Sequence, residues 1–175
     1  CPVQTTGIAP GDREGIEDIL RQCDVPLSED ISQARRWSMA CVAWPTCGLS
    51  ITESERALPG MIDQLEGELK ELGLSEEQFT FRMTGCPNGC ARPYNSDIGL
   101  VGKARNKYTL FVGGRRLGDQ LSFIHKDLVP TEEVVPSLVR LFSYFKQDRL
   151  ETETFGDFCR RKGNDDLLAH VDSAS

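Results

Sequence analysis

Two pairs of cysteines, each set in a loop of turn-forming residues, constrain this chain more than any other feature. Cys41 and Cys47 have five residues between them, Cys86 and Cys90 have three, and 38 residues separate the pairs. Trp44-Pro45 breaks the chain within the first pair, and Pro87-Asn88-Gly89 fills the second. Loops of this kind let thiolates from distant parts of a sequence converge on one point. The second pair follows a period-two stretch, residues 78–84, in which Phe79, Phe81 and Met83 alternate with Thr80, Arg82 and Thr84. That alternation predicts a half-buried strand, which would anchor the loop's backbone and leave its side chains free to ligate.

Three readings of the pairs compete. Packing cysteines are the bland one, and they suit a single buried Cys better than two loop-borne pairs. A zinc site of four cysteines prefers two to four residues within each pair, which the first pair exceeds. A cubane iron–sulfur cluster asks only that four thiolates converge, so spacing alone ranks it ahead of zinc. Pro87 and Gly89 would let backbone N–H groups turn toward sulfur.

The chain has seven cysteines in 175 residues, and it is long enough to build a core without metal or disulfides. No basic, apolar leader precedes the first turn, and no apolar run approaches 20 residues, so export and a membrane span are not expected. An odd number of thiols without export favours ligation, catalysis or packing over a disulfide framework. Cys23, on the apolar face of a helix, and Cys159 are expected to be packing residues, and Cys1 stands at the start. His125 and His170 lie in polar surroundings far from either pair and are given no ligand role. The absence of an initiator Met suggests a piece of a longer protein.

Net charge is −7, which argues against non-specific binding of nucleic acid or a membrane surface. Between Arg82 and Arg116, however, seven basic residues face one acid, Asp97. Such a stretch marks either a polyanion site or a hairpin with solvated tips.

Along the chain, residues 1–8 read as extended. A helix capped by Asp12 presents Ile16, Ile19, Leu20 and Cys23. A polar link follows at Ser28-Glu29-Asp30, and residues 35–47 read as a loop. Thr52 is a fair N-cap for a helix that Pro59-Gly60 would interrupt, with Met61, Leu65, Leu69 and Leu72 continuing its stripe to Gly73. Short strands are expected at 98–101 and 108–112, joined by a turn through Arg105-Asn106. A helix from Thr131 presents Val135, Leu138, Val139, Phe142 and Phe145, and a last helical piece begins near Phe155 and is punctuated at Gly163-Asn164. This order makes the class α+β, or mixed α/β, with a mixed sheet and flanking helices. Residues 1–34 are expected to form a piece of one unit and residues 35–175 another.

The run Met39-Ala40-Cys41-Val42-Ala43-Trp44-Pro45-Thr46-Cys47, followed by Thr52-Glu53-Ser54-Glu55-Arg56, resembles the first cluster motif of the sirohaem-dependent sulfite and nitrite reductases. Residues 84–93, Thr-Gly-Cys-Pro-Asn-Gly-Cys-Ala-Arg-Pro, resemble their second. Gly99-Leu100-Val101-Gly102 and Phe155-Gly156-Asp157-Phe158 match the C-terminal region of that family in the same order. The resemblance runs from about residue 35 to residue 160.

It implies a fold like the family's 4Fe-4S domain, preceded by the tail of a ferredoxin-like domain. It implies a 4Fe-4S cluster on Cys41, Cys47, Cys86 and Cys90, with the Cys90 thiolate shared with sirohaem iron and Asn88 donating to a sirohaem carboxylate. The basic segment would then welcome the carboxylate-fringed macrocycle. The filling around the first pair is more like that of the sulfite reductases, since assimilatory nitrite reductases carry Thr-Lys where this chain has Ser54-Glu55-Arg56. The implied function is the cluster-bearing C-terminal part of an assimilatory sulfite reductase of the cytoplasm. Its electrons would come from ferredoxin or a flavoprotein. Sulfite is the small-molecule substrate, and the catalytic basic residues are expected upstream, none within this chain.

Overall fold

The computed structural model of the chain describes residues 6–173. A ten-residue helix, α1 (Arg13–Gln22), comes first, followed by a short helix α2 (Gln33–Arg36). Ser32 caps α2 by accepting from the Arg35 N–H at 3.1 Å. The chain then enters β1 (Ser38–Ala40), the long helix α3 (Leu58–Glu71) and β2 (Phe81–Thr84). Next come β3 (Ile98–Ala104), β4 (Lys107–Val112) and β5 (Phe123–Pro130). Helices α4 (Val134–Asp148), α5 (Phe155–Lys162) and α6 (Asn164–Ser173) complete the chain.

The five strands lie in sequence order in one sheet, with β1, β2 and β3 parallel and β3, β4 and β5 antiparallel. Register decides which residues share a face. Phe81, Ile98 and Val112 form one row across the sheet and Met83, Leu100 and Leu110 the next, all buried. Helices α3 and α4 cover this face. Phe79 sits 4.6 Å from Phe142, centroid to centroid, and Phe155 lies 4.9 Å from Phe142 and 5.6 Å from Phe145. These offset and edge-on contacts add to the roughly 1.5–3 kcal/mol that burial of each such side chain contributes. On the opposite face the row reads Met39, Arg82, Gly99, Phe111 and Ile124. Its middle is roofed by the 3-10 turn Pro93–Asn95, which approaches so closely that a Cβ on Gly99 would stand 3.1 Å from the Pro93 Cβ and overlap its carbonyl.

The mixed α/β class is as expected, and several local expectations are corrected. Thr52 starts no helix. It is buried, its hydroxyl accepts the Asn106 N–H at 3.0 Å, and the helix begins at Leu58 with Pro59 in its first turn, where a missing N–H costs nothing. Pro59-Gly60 is therefore an opening and not an interruption. The 35–47 loop takes in the end of α2 and all of β1, and β5 was not anticipated because its burial is irregular and two register shifts interrupt its pairing with β4. The extended segment 1–8 lies mostly outside the described residues, and no strand occurs among residues 6–8. Helix α1 forms where expected but buries nothing, so Cys23 is exposed, whereas Cys159 is fully buried as expected. His125 is buried, with Nδ1 2.8 Å from Asn164 Oδ1.

Candidate iron–sulfur site

Both cysteine loops leave the sheet at the carboxyl ends of neighbouring parallel strands. The register Ala40 with Met83 continues one step, because the Cys41 N–H donates to the Met83 carbonyl at 3.1 Å. Cys41 thus ends β1 beside the point where β2 runs into Gly85-Cys86. Parallel strands make this juxtaposition, and antiparallel ones would carry the two loops to opposite ends.

Gly85 locks the loops together. Its N–H donates to Cys41 Sγ at 3.3 Å, and its carbonyl accepts from Ile51 at 2.8 Å and from Thr52 at 3.1 Å. The packing leaves no room for a side chain. A Cβ on Gly85 would overlap Ser50 Oγ and stand 2.5 Å from the Thr52 carbonyl oxygen and 2.7 Å from the Ala43 Cβ. From below, Gly102 of β3 admits the same peptide, since a Cβ there would be 2.5 Å from the Gly85 carbonyl carbon. Two glycines are therefore needed for one close approach of three segments.

The first loop turns sharply through Ala43, at φ 45°, and a cis Trp44–Pro45 bond, and the Cys47 N–H returns to the Ala43 carbonyl at 2.7 Å. The buried Ser54 hydroxyl donates to the Met83 carbonyl at 2.7 Å, and Tyr108 donates to the Glu53 carbonyl at 2.8 Å. In the second loop Gly89 is left-handed, at φ 68°, and Tyr94 donates to the Pro87 carbonyl at 2.7 Å. Burial, followed by the charge of nearby Cys86, raises the Tyr94 phenol above its ordinary value.

All four predicted ligands are free thiols: Cys86 is buried, Cys41 and Cys47 are half-buried and Cys90 is exposed. Cys41 and Cys86 are brought together through Gly85, whereas Cys47 and Cys90 sit on the outer arms of their loops. Among the described residues no group of three or more His, Cys, Asp or Glu is placed to hold a metal ion. The donor set still fits an iron–sulfur cluster: it is all soft thiolate, its loops are interlocked, and a backbone N–H already points at one sulfur. Asn88 is exposed at the tip of the second loop.

The basic segment does not form the single patch that its sequence suggested. Lys103, Arg105 and Lys107 are exposed on the β3–β4 hairpin. Arg115 is at the far end of the sheet, held by Asp157 and Asp119, and Arg116 stacks on Trp37 at 4.3 Å. The β3–β4 hairpin lies at the cysteine end, because β3 runs parallel to β2 and Asn106 meets Thr52 of the first loop, and Arg82 and Arg92 flank the second loop in sequence. Burial and then the charge of Arg92 lower the Arg82 guanidinium below its ordinary value, and its side chain meets Met39 Sδ at 2.9 Å. Around the first loop Met39, Val42, Trp44, Leu49 and Ile51 are exposed apolar residues. The sequence reading did not single them out, because isolated apolar residues in a loop carry no period.

The fold and the paired cysteine loops define a cluster domain of the reductases. Residues 32–175 match the model of the nitrite and sulphite reductase 4Fe-4S domain, and the chain belongs to that family. It is 48% identical over 166 residues to a sulfite reductase [ferredoxin] of Synechococcus elongatus, covering 95% of this chain and 27% of that protein. It is 45% identical over 156 residues to a sulfite reductase [NADPH] hemoprotein beta-component of Afipia carboxidovorans, covering 89% of this chain and 27% of the relative. Among solved structures, the Mycobacterium tuberculosis NirA protein superposes with a TM-score of 0.79 at 25% identity, over 91% of this chain and 31% of that one. The chain thus spans about a quarter of the length of these curated relatives.

Proposed function

We propose that this chain is the cluster-bearing C-terminal part of an assimilatory sulfite reductase, reducing sulfite to sulfide within a longer polypeptide. Cys41, Cys47, Cys86 and Cys90 would hold a 4Fe-4S cluster, and Cys90 and Asn88 would also serve to hold a sirohaem beside it. When bound, the coupled pair supplies electrons one at a time to a substrate that needs six. The observation that carries this reading is the Gly85 interlock, which draws two all-thiol loops to the ends of adjacent strands.

The chain's own residues do the holding. The Gly85 N–H would donate to the sulfur of a cluster-bound Cys41, and burial of Cys86 keeps water from one side of the site. Arg82 and Arg92 supply positive charge for an anionic macrocycle. Electrons would come from ferredoxin or a flavoprotein, in keeping with the two kinds of relative. The substrate-binding basic residues would be upstream, and cytoplasm is the proposed compartment. No helix among the described residues is long and apolar enough to cross a membrane.

Residues 1–34 would belong to a preceding ferredoxin-like domain and residues 35–175 to the cluster domain. In support, α1 buries none of its residues, and a cavity of about 450 Å³ lies between it and the irregular segment around Val25. The test is reconstitution without oxygen using iron and sulfide. About four irons with acid-labile sulfide per chain are expected, and none in chain prepared in air. In the full-length protein, Cys86→Ala or Cys90→Ala should remove the cluster and reduce activity to background. One zinc and no sulfide would replace this reading with a zinc-stabilised module. Wild-type iron and activity in Cys90→Ala would overturn the assignment of Cys90.

A further inference from the structure

The turn between Cys86 and Cys90 is held from its own neighbourhood chiefly by the Arg92 N–H, which donates to the Gly89 carbonyl at 2.8 Å. Pro87 has no N–H to donate, Gly89 is left-handed at φ 68°, and Pro87, Asn88 and Cys90 are all exposed. The residue that fixes it comes four positions later. Tyr94 donates its hydroxyl to the Pro87 carbonyl at 2.7 Å. Its ring lies so close to Gly89 that a Cβ there would stand 2.7 Å from Cε2 and 3.2 Å from Cδ2. The same ring meets Phe111 of β4 edge-on, with centroids 5.2 Å apart. The Tyr94 carbonyl accepts from the Ser122 N–H at 2.7 Å and from its hydroxyl at 2.9 Å. Tyr94 is therefore tied to the sheet and to the segment entering β5, and reaches from there to two separate points on the turn.

We propose that Tyr94 is a positioning residue for the Cys86–Cys90 turn, its hydroxyl holding Pro87 and its ring seating Gly89, so that Cys86 stays buried while Cys90 faces outward. This rests on the reading of Cys86 and Cys90 as ligands and adds to it the residue that sets where they point. Both halves of the hold act on backbone that no secondary structure supports. Loss of either therefore raises local opening of the turn without unfolding the domain.

The test is alkylation by iodoacetamide of the reduced, metal-free, full 175-residue chain, followed peptide by peptide. Cys159 is fully buried in α5 and serves as the internal reference for global opening, because it lies outside the turn. Tyr94→Phe keeps the ring and removes one hydrogen bond, and Cys86 is expected to react about fivefold faster. Tyr94→Leu removes both holds and should exceed about tenfold. In both variants Cys159 keeps its wild-type rate. An unchanged Cys86, or Cys86 and Cys159 rising together, overturns the proposal, and an increase confined to Tyr94→Leu overturns the two-point hold. Iron uptake by the wild-type chain is scored separately. A wild-type chain that takes up no iron and sulfide counts against the cluster, while the ratio of thiol rates still decides for or against Tyr94.

Discussion

The N–H of Gly85 points at the sulfur of Cys41, 3.3 Å away, and joins the two cysteine loops across 44 residues of sequence. Position 85 has no room for even a methyl group, because the contacts a Cβ would meet include the Thr52 carbonyl and the Ala43 Cβ, which belong to the opposite loop. Gly85→Ala must therefore push the loops apart or bend β2. Overpacking of this kind costs about 1–3 kcal/mol. A lower urea midpoint is expected, together with loss of most of the iron taken up on reconstitution, and wild-type iron content would count against the interlock.

Thr52 ties the first loop to the β3–β4 hairpin, its hydroxyl accepting the Asn106 N–H at 3.0 Å. Thr52→Val keeps the shape and leaves that N–H without its acceptor. A cost of about 1–3 kcal/mol is expected. Amide exchange at Asn106 should quicken, while exchange in α4, which does not touch the bond, stays as it was. Equal acceleration at both would mean that the hydroxyl matters only to global stability.

How far the sequence could be read depended on the range of the interactions. The strand at 81–84 was legible because alternation is local, and α4 because its apolar stripe has helical period. Thr80 and Thr84 are buried as well, however, so the strand is not half-exposed. The cysteine loops were legible as a candidate ligand set through residue type and setting. Their interlock was not, since it depends on Gly85 and Gly102 meeting residues from three segments. Thr52 looked like an N-cap because a Thr followed by acids fits that role locally, but a buried tertiary contact took its hydroxyl instead. The basic segment read as one patch in one dimension. The antiparallel course of β4 carries Arg115 and Arg116 to the opposite end of the sheet from Lys103, Arg105 and Lys107 of the hairpin.

Phe142 is fully buried on α4, with the Phe79 and Phe155 ring centroids 4.6 and 4.9 Å from its own and 5.6 Å from each other. Phe142→Ala would open a cavity among aromatic rings whose backbones are fixed by sheet and helix. A loss of about 3–5 kcal/mol is expected from urea unfolding. A loss under about 1 kcal/mol would mean that the ring cluster collapses to fill the space.

Asp97 gives the pH test. Its carboxylate is buried and accepts from the Thr80 N–H at 2.9 Å, the Thr80 hydroxyl and the Gly156 N–H at 3.1 Å, joining β2 to the start of α5. Burial raises its pKa above the ordinary value, and the hydrogen bonds from Thr80 and Gly156 oppose the rise without cancelling it. The folded chain therefore binds this proton more tightly than the unfolded chain does. The stabilisation from that preference is complete below the unfolded value, about 4, and is lost as pH rises through the folded one. Asp148, Glu153 and Asp157 have depressed values, so their contributions run the other way and are lost as pH falls. They are common to wild type and to Asp97→Asn, and cancel in the difference between the two. The Asn amide group would face a backbone N–H on one side or the other, so Asp97→Asn should cost about 1–3 kcal/mol. The wild-type advantage should be largest in acid and shrink as pH rises past the ordinary carboxylate range. Urea unfolding of both proteins from pH 4 to pH 8 measures it, and an advantage that stays flat or grows with pH would show that Asp97 is held as the anion.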